Sequence, residues 1–488
     1  MSVERYYSYR EFCDYARRFN QVDLLTAIAR TALALPDSVR DPRYRRTLPW
    51  ALAALAKASI CHGNAYRSTT VRPDTIARAC QMYNNLAPEE LDSEELKSAL
   101  GILVRIAYEQ FPYQEPLYGE IARAEAFFGC YSGRKRLEVL SDAALTQLLG
   151  APLRQAVGVA FVLYASARVN NGFFDPAWME QPQFTDVLAT VPQGQIVSVI
   201  NAVFANSFDD FKLQAAEAPP LPFLDRYMFN PLTARPFVRL GDGRLLAPVP
   251  QLIGRKLSPV ELYYLGSKRW GNPFTNDMGH LFENYVGRQL QTLPDATVYP
   301  EIQYNQGKDA LTGVDWIVVA KDAVLLVEAK ATRVPAPARA GQATIKDTLK
   351  RTLGKAFDQI NRTYQAIRSG VPEFSAIPTD RPFLGLVTTL DHWYFANSGL
   401  TRNLLPEPDI PTLVAWVGAL EHLIAIGQRR TASTILAEIL DDEDRRTWDL
   451  TTALAGYTET GDDNPVLRQA WKQYPFREEP DDRRQQSE

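Results

Sequence analysis

Asp315, Glu328 and Lys330 are the residues whose types and spacing could do chemistry together. Asp315 sits at the start of one apolar run, Val314 to Ala320. Glu328 and Lys330 end a second that begins at Ala323, and Lys321-Asp322 lies between the runs, a pattern that predicts a β-hairpin. If Lys321-Asp322 is a two-residue turn, Asp315 stands directly opposite Glu328, with Lys330 one step along the same face. A loop one residue longer would break that facing, and Lys-Asp lacks the glycine that tight hairpin turns favour. Two carboxylates and an ammonium at the end of an apolar hairpin are costly to bury without a job. The acids are hard oxygen donors that suit Mg²⁺ (or Mn²⁺) and phosphate substrates. Such an ion polarises a phosphoryl oxygen and acidifies a water, and Lys330 could orient or deprotonate that water or offset charge on the phosphorane-like oxygens. The competing assignment is a surface Glu328–Lys330 ion pair of little energetic weight.

These residues need a scaffold. Val324 and Leu326 share the acidic face and Leu325 and Val327 the other, so the strands are covered on both sides, as in an α/β/α sandwich. A helix from Asp277 to Leu293 precedes them, with Phe282, Val286 and Leu290 as its apolar stripe and Asp277 as its cap. Gly279, Glu283 and Gly287 form a second line along which this helix could approach the sheet closely. Thr297 to Tyr304 reads as the first strand, with Glu301 and Gln303 as alternatives for a residue turned toward the cleft. After Lys330, Val334 to Gly341 is rich in small residues and reads as a loop without a core, mobile and able to close on substrate. A helix follows from Ala343 to Ser369, and Pro382 to Thr389 reads as the closing strand. Between Lys330 and Arg368 nine basic residues stand against two acids, a local net of +7 within a chain of net −4. That is the footprint a phosphate backbone requires. Arg351, Lys355, Gln359 and Arg362 fall on one helical face.

An Asp, a nearby Glu and a Lys two residues on recur by chance roughly once or twice in a chain this long, so the surroundings carry the weight. Asp-x12-Glu-Ala-Lys on a hairpin, with a helix before it and a basic helix after it, resembles the PD-(D/E)xK nuclease superfamily, of restriction-endonuclease-like fold. The resemblance covers residues 276 to about 391, roughly a quarter of the chain. It implies an αβββαβ core and metal-dependent phosphodiester hydrolysis. The family's first acid matches Asp315, and its E-x-K matches Glu328-Ala329-Lys330; Val314 stands where the naming proline would be. The resemblance further implies an additional acid from the first helix, matched by Glu283, so that Asp315, Glu328 and Glu283 would be the metal ligands. It also implies a polar or basic residue of the later helix beside the scissile phosphate, for which Lys355 and Gln359 are the candidates. Lys346, Lys350 and Arg351 extend that helix's nucleic-acid-binding surface.

The whole chain reads as a multidomain α+β protein: an all-α accessory region (1–218), a β-hairpin connector (219–275), the nuclease-like core (276–395), a helical C-terminal segment (396–475) and a disordered tail (476–488). In the first region, Tyr9 to Leu35, Leu48 to Cys61, Asp74 to Leu86, Ser93 to Phe111, Glu120 to Tyr131, Asp142 to Arg168 and Gln193 to Ala218 show helical spacing, with Ser93 and Ser141 as N-caps. Pro219 to Pro222 mark a boundary, and Gly241-Asp242-Gly243 marks the connector's hairpin. Ile410 to Gly427 and Thr431 to Leu440 read as helices. The basic loop Arg40 to Arg46 reads as a solvated turn.

The N-terminus is too charged for a signal peptide, and the longest apolar run, Ala156 to Ala167, is too short to span a bilayer, so the expectation is a cytoplasmic protein with no membrane partner. Cys13, Cys61, Cys80 and Cys130 lack paired metal spacing and read as reduced thiols. Four scattered histidines leave no material for zinc sites or histidine-based triads. The leading expectation is a Mg²⁺-dependent nuclease acting on DNA, with RNA open, of a kind suited to prokaryotic defence or mobile-element processing. A homodimer, or a protein partner on the helical region, is compatible with it. One alternative is a catalytically retired nuclease fold serving as a binding module in a larger assembly. The other is a scaffold in which the triplet is structural.

Overall fold

Five strands form the sheet that carries the acidic hairpin: β1 (Thr297–Pro300), β2 (Trp316–Val319), β3 (Val324–Lys330), β4 (Phe383–Thr389) and β5 (Thr412–Trp416). They belong to a computed structural model that describes residues 5–35, 47–87, 98–114, 117–133, 135–218, 224–307, 309–341 and 344–474. Spatial order follows chain order, with β1, β2 and β3 antiparallel and β4 and β5 parallel to β3. Helix α1 (Asn272–Leu290) covers one face and α2 (Lys355–Arg368) the other. Trp316, Val318, Leu325 and Val327 pack with α1, whereas Ile317, Val324 and Leu326 pack with Phe357 and Ile360 of α2. The unbroken apolar strands are therefore explained by burial on both sides.

The hairpin register is the expected one, with Trp316 facing Val327 and Val319 facing Val324. Its turn holds without glycine because Ser433 and Thr434 hydroxyls donate to the Asp322 carboxylate at 2.5 and 2.6 Å. Tertiary contact replaces local turn preference here.

Several expectations are corrected. Ile410 to Gly427 is not one helix: Thr412–Trp416 is strand β5, and only α3 (Val417–Ile426) is helical. A short apolar run buried on both faces has no periodicity to separate strand from helix. The first strand ends at Pro300, and Gln303–Gln306 instead pairs with Asp309–Thr312 as a separate hairpin. The N-terminal region is not all-α, since Phe173–Phe174 and Ala205–Asn206 join the Phe237–Arg239/Leu245–Leu246 hairpin in a four-stranded sheet. Two-residue strands leave no pattern to read. The helix expected over Gln193 to Ala218 is accordingly broken at Ala205–Asn206. Asp142 to Arg168 is interrupted at Gly150, whose φ is +83°. By length and composition Asp142–Val169 would suffice to cross a membrane, yet over half of its most apolar 18 residues are buried inside the protein. The basic loop 40–46, Ser93, the proline boundary 219–222 and the tail from 476 lie outside the described residues.

Asp277 is not a helix cap. It lies inside α1, fully buried, and its carboxylate accepts the backbone N–H groups of Glu138, Val139 and Leu140, each at 2.8 Å. Three donors on one anion satisfy a charge that would otherwise be prohibitive to bury. Asp277→Ala is expected to cost about 3 kcal/mol by orphaning them, seen as a lower unfolding midpoint and faster proteolysis near residue 138.

The segment after Lys330 is not a coreless loop. Val334, Ala338 and Ala340 are buried, and Gly341 (φ +69°) leaves no room for a Cβ against the backbone of Gly101. Arg333 and Arg339 both reach the buried Asp391 carboxylate, at 3.2 and 2.6 Å. The small side chains permit this close approach, and the arginines neutralise the acid.

Candidate active site

Asp315 immediately precedes β2, and Glu328 lies on β3 with only 1 % of its surface exposed. Extending the ladder by one pair puts them face to face. The Asp315 N–H donates to Glu328 Oε2 (3.3 Å), and Asp315 Oδ2 accepts the Ala329 N–H (2.7 Å). Each carboxylate is thus held by the backbone of the opposite strand. Lys330 Nζ lies 2.5 Å from Glu328 Oε1. The three residues converge as the sequence predicts.

Burial, then the facing Glu328, raises the Asp315 carboxyl well above the ordinary carboxylate range. Burial raises Glu328 as well, with Lys330 opposing it. Two facing acids whose charged forms are disfavoured by burial form a donor set that a divalent cation would relieve, and Mg²⁺ commonly takes one or two carboxylates plus waters. The donor set fits that class of ion.

Helix α2 fixes the strand start. Gln359 Nε2 donates to Gly313 O at 2.7 Å, and Thr363 Oγ1 accepts the Val314 N–H at 3.0 Å. The Gln359 amide, a candidate phosphate contact, thereby positions Asp315. Lys355 is exposed one turn earlier on α2, and Lys346, Lys350 and Arg351 are exposed on the helical segments leading into it. Of the nine basic residues in this stretch, Lys330 is engaged with Glu328, and Arg333 and Arg339 with Asp391. The free basic surface is correspondingly smaller than the sequence count.

Glu283 lies on α1, the opposite side of the sheet from α2. Gly287 does what the glycine line predicts, since a Cβ there would stand 2.0 Å from the Trp316 ring, and the Trp316 indole N–H donates to Glu283 O at 2.8 Å. Gly279 faces open space. The Glu283 carboxylate pairs with Lys135 Nζ at 3.0 Å, with His280 Nδ1 at 3.9 Å from the same oxygen. Among the described residues no three His, Cys, Asp or Glu side chains already form a metal-holding group. Glu301 is near enough for its charge to act on both Glu328 and Lys135.

Sequence reasoning missed Lys135, for which the only signal was the Arg134-Lys135-Arg136 triplet, and Asp391, which carried none.

No family model matches the chain, and no curated protein does. Among solved structures it is similar to the small subunit of the heterodimeric restriction endonuclease R.BspD6I, at 12 % identity and a TM-score of 0.23, over 44 % of this chain and 98 % of that one.

Proposed function

We propose that this chain is a divalent-metal-dependent nuclease of restriction-endonuclease-like fold that hydrolyses DNA phosphodiester bonds. The facing pair Asp315 and Glu328, with Lys330 beside them, carries the reading. Asp315 and Glu328 would hold a Mg²⁺- or Mn²⁺-class ion, which polarises a phosphoryl oxygen and acidifies water. Lys330, at the solvent side of Glu328, orients the attacking water or offsets charge developing on the phosphate oxygens. Lys346, Lys350, Arg351 and Lys355 are exposed where they can follow a phosphate backbone, and they set the register of the substrate without reading its sequence. Gln359 and Thr363 hold Asp315 in place through Gly313 and Val314.

A specific observation favours the second reading, a retired fold acting as a binding module: the Glu283 carboxylate is already ion-paired with Lys135. The test is cleavage of plasmid and linear DNA, and of RNA of matched sequence, with Mg²⁺ or Mn²⁺ and with chelator. The nuclease requires cleavage that chelator abolishes and that Lys330→Ala lowers by about 10²-fold or more. Salt-sensitive DNA binding without cleavage, unchanged in Lys330→Ala, would establish the binding module instead.

A further inference from the structure

Residues 131–133 and 135–140 come from the helical region yet are fastened to α1, the helix that carries Glu283. Asp277 takes the N–H groups of Glu138, Val139 and Leu140, and Asn284 Oδ1 accepts the Ser132 N–H at 3.3 Å. Arg288 Nη1 donates to Ala126 O (2.6 Å) and Cys130 O (3.1 Å), and the Tyr131 hydroxyl donates to Lys135 O (2.7 Å). At the end of this anchoring stands Lys135 Nζ, 3.0 Å from Glu283 Oε2, with its side chain 46 % exposed. An exposed ion pair of this kind contributes little to stability. A fully buried aspartate and three backbone donors are a heavy anchor for so weak a contact. The anchoring makes sense if the position of the lysine matters. Burial works against the Lys135 ammonium, but Glu283, then Glu301 and Asp315, hold its charge more firmly than in an ordinary lysine.

We infer that Lys135 is a phosphate-binding lysine supplied by the helical region to the nuclease-like core: it occupies Glu283 while the divalent ion is absent, and passes to a non-bridging oxygen of the bound phosphodiester when Glu283 turns to the ion. A flexible four-carbon stem with a point charge suits such an exchange between two anions. The inference rests on the nuclease reading above, and it explains why Glu283, whose charge reaches Asp315, is held by Lys135.

The test compares wild type with Lys135→Met, Lys135→Arg, Glu283→Gln and the double variant Lys135→Met/Glu283→Gln, in the full chain. Mn²⁺ affinity is read by calorimetry without DNA, and kcat and KM by plasmid cleavage at saturating Mn²⁺. Removing the competing ammonium should tighten Mn²⁺ binding about 5-fold in Lys135→Met, and the gain should vanish in the Glu283→Gln background. The same variant should raise KM for DNA by about 10-fold or more with a smaller change in kcat, and Lys135→Arg should recover most of that loss. Mn²⁺ affinity and KM both unchanged in Lys135→Met, in a protein that does cleave DNA, overturn the role of Lys135 and leave the nuclease reading intact. Failure of the wild type to bind Mn²⁺ or to cleave overturns both.

Discussion

Asp315→Asn is expected to abolish the proposed metal-dependent cleavage and, in the same protein, to raise the stability of the metal-free fold. The first effect follows from removing one of two anionic donors; a loss of about 10³-fold or more, equivalent to about 4 kcal/mol of transition-state stabilisation, is the expected scale. The second follows from what the site does when no ion is bound. The Asp315 and Glu328 carboxylates face each other in a buried position; burial raises both, with the Glu328 charge adding to the rise at Asp315 and the Glu301 charge to that at Glu328. Asparagine keeps an oxygen for the Ala329 N–H and removes one charge. The gain should be on the order of 1 kcal/mol at neutral pH.

The pH dependence has a definite sign. A carboxyl raised in the folded state binds its proton more tightly there than in the unfolded chain, so the folded protein carries more protons as pH rises past the ordinary aspartate value of 3.8. Stability contributed by the protonated pair is complete below that value and is lost as pH rises through the raised folded one. The advantage of Asp315→Asn should therefore grow across this window and level off above it. Added Mn²⁺ should raise the wild-type unfolding midpoint at neutral pH and leave the variant's nearly unmoved. Chemical denaturation from pH 4 to 8, with and without Mn²⁺, measures all three. A wild type more stable than the variant throughout, and indifferent to Mn²⁺, would mean that the acids form a structural pair and hold no ion.

What was legible in the sequence divides along physical lines. The Asp315–Glu328–Lys330 constellation could be read because alternation along a strand and the facing of residues across a short turn are local geometry, set by the hairpin alone. The covering of both sheet faces followed from the apolar runs, and the closeness of α1 to the sheet followed from Gly287, although Gly279 plays no part in it. Strand β5 escaped because five buried residues, Thr412 to Trp416, carry no period. The roles of Asp277, Asp391 and Lys135 escaped for a different reason. Each acts on a partner more than 50 residues away in the chain: Asp277 on Val139, Asp391 on Arg333, Lys135 on Glu283. Nothing in the local pattern distinguishes a carboxylate that will hold distant backbone from one that faces water. Gln359 falls between these cases: its helical face was legible, but its bond to Gly313 arises only when α2 docks on the sheet.

Asp391→Ala should destabilise this chain by about 3–5 kcal/mol, because it leaves the buried Arg333 and the partly buried Arg339 guanidinium groups without their counter-charge. Asp391 follows β4 at the level of Lys330, whose carbonyl accepts the Leu390 N–H at 3.1 Å. Burial opposes its ionisation, but Arg339 and then Arg333 hold the carboxyl at about 2. Arg333 lies over the Tyr264 ring at 3.4 Å and also donates to Val260 O; Arg339 lies over Tyr108 at 5.0 Å. The acid therefore joins the end of β4, the segment leaving Lys330 and the helix from Pro259 to Trp270. A carboxyl lowered by folding contributes stability that is present above its unfolded value of 3.8 and lost as pH falls toward 2. The wild type should accordingly lose stability over that interval, and Asp391→Ala should not. Without Asp391 the segment from Arg333 to Gly341 should become the first site of limited proteolysis, because its own apolar contacts come from alanines and one valine. Replacing Arg339 by methionine in the Asp391→Ala background should recover part of the loss, since it removes one of the orphaned charges while keeping volume beside Tyr108. Equal stability of the single and double variants would show that the arginines find other partners and that the junction does not depend on this acid.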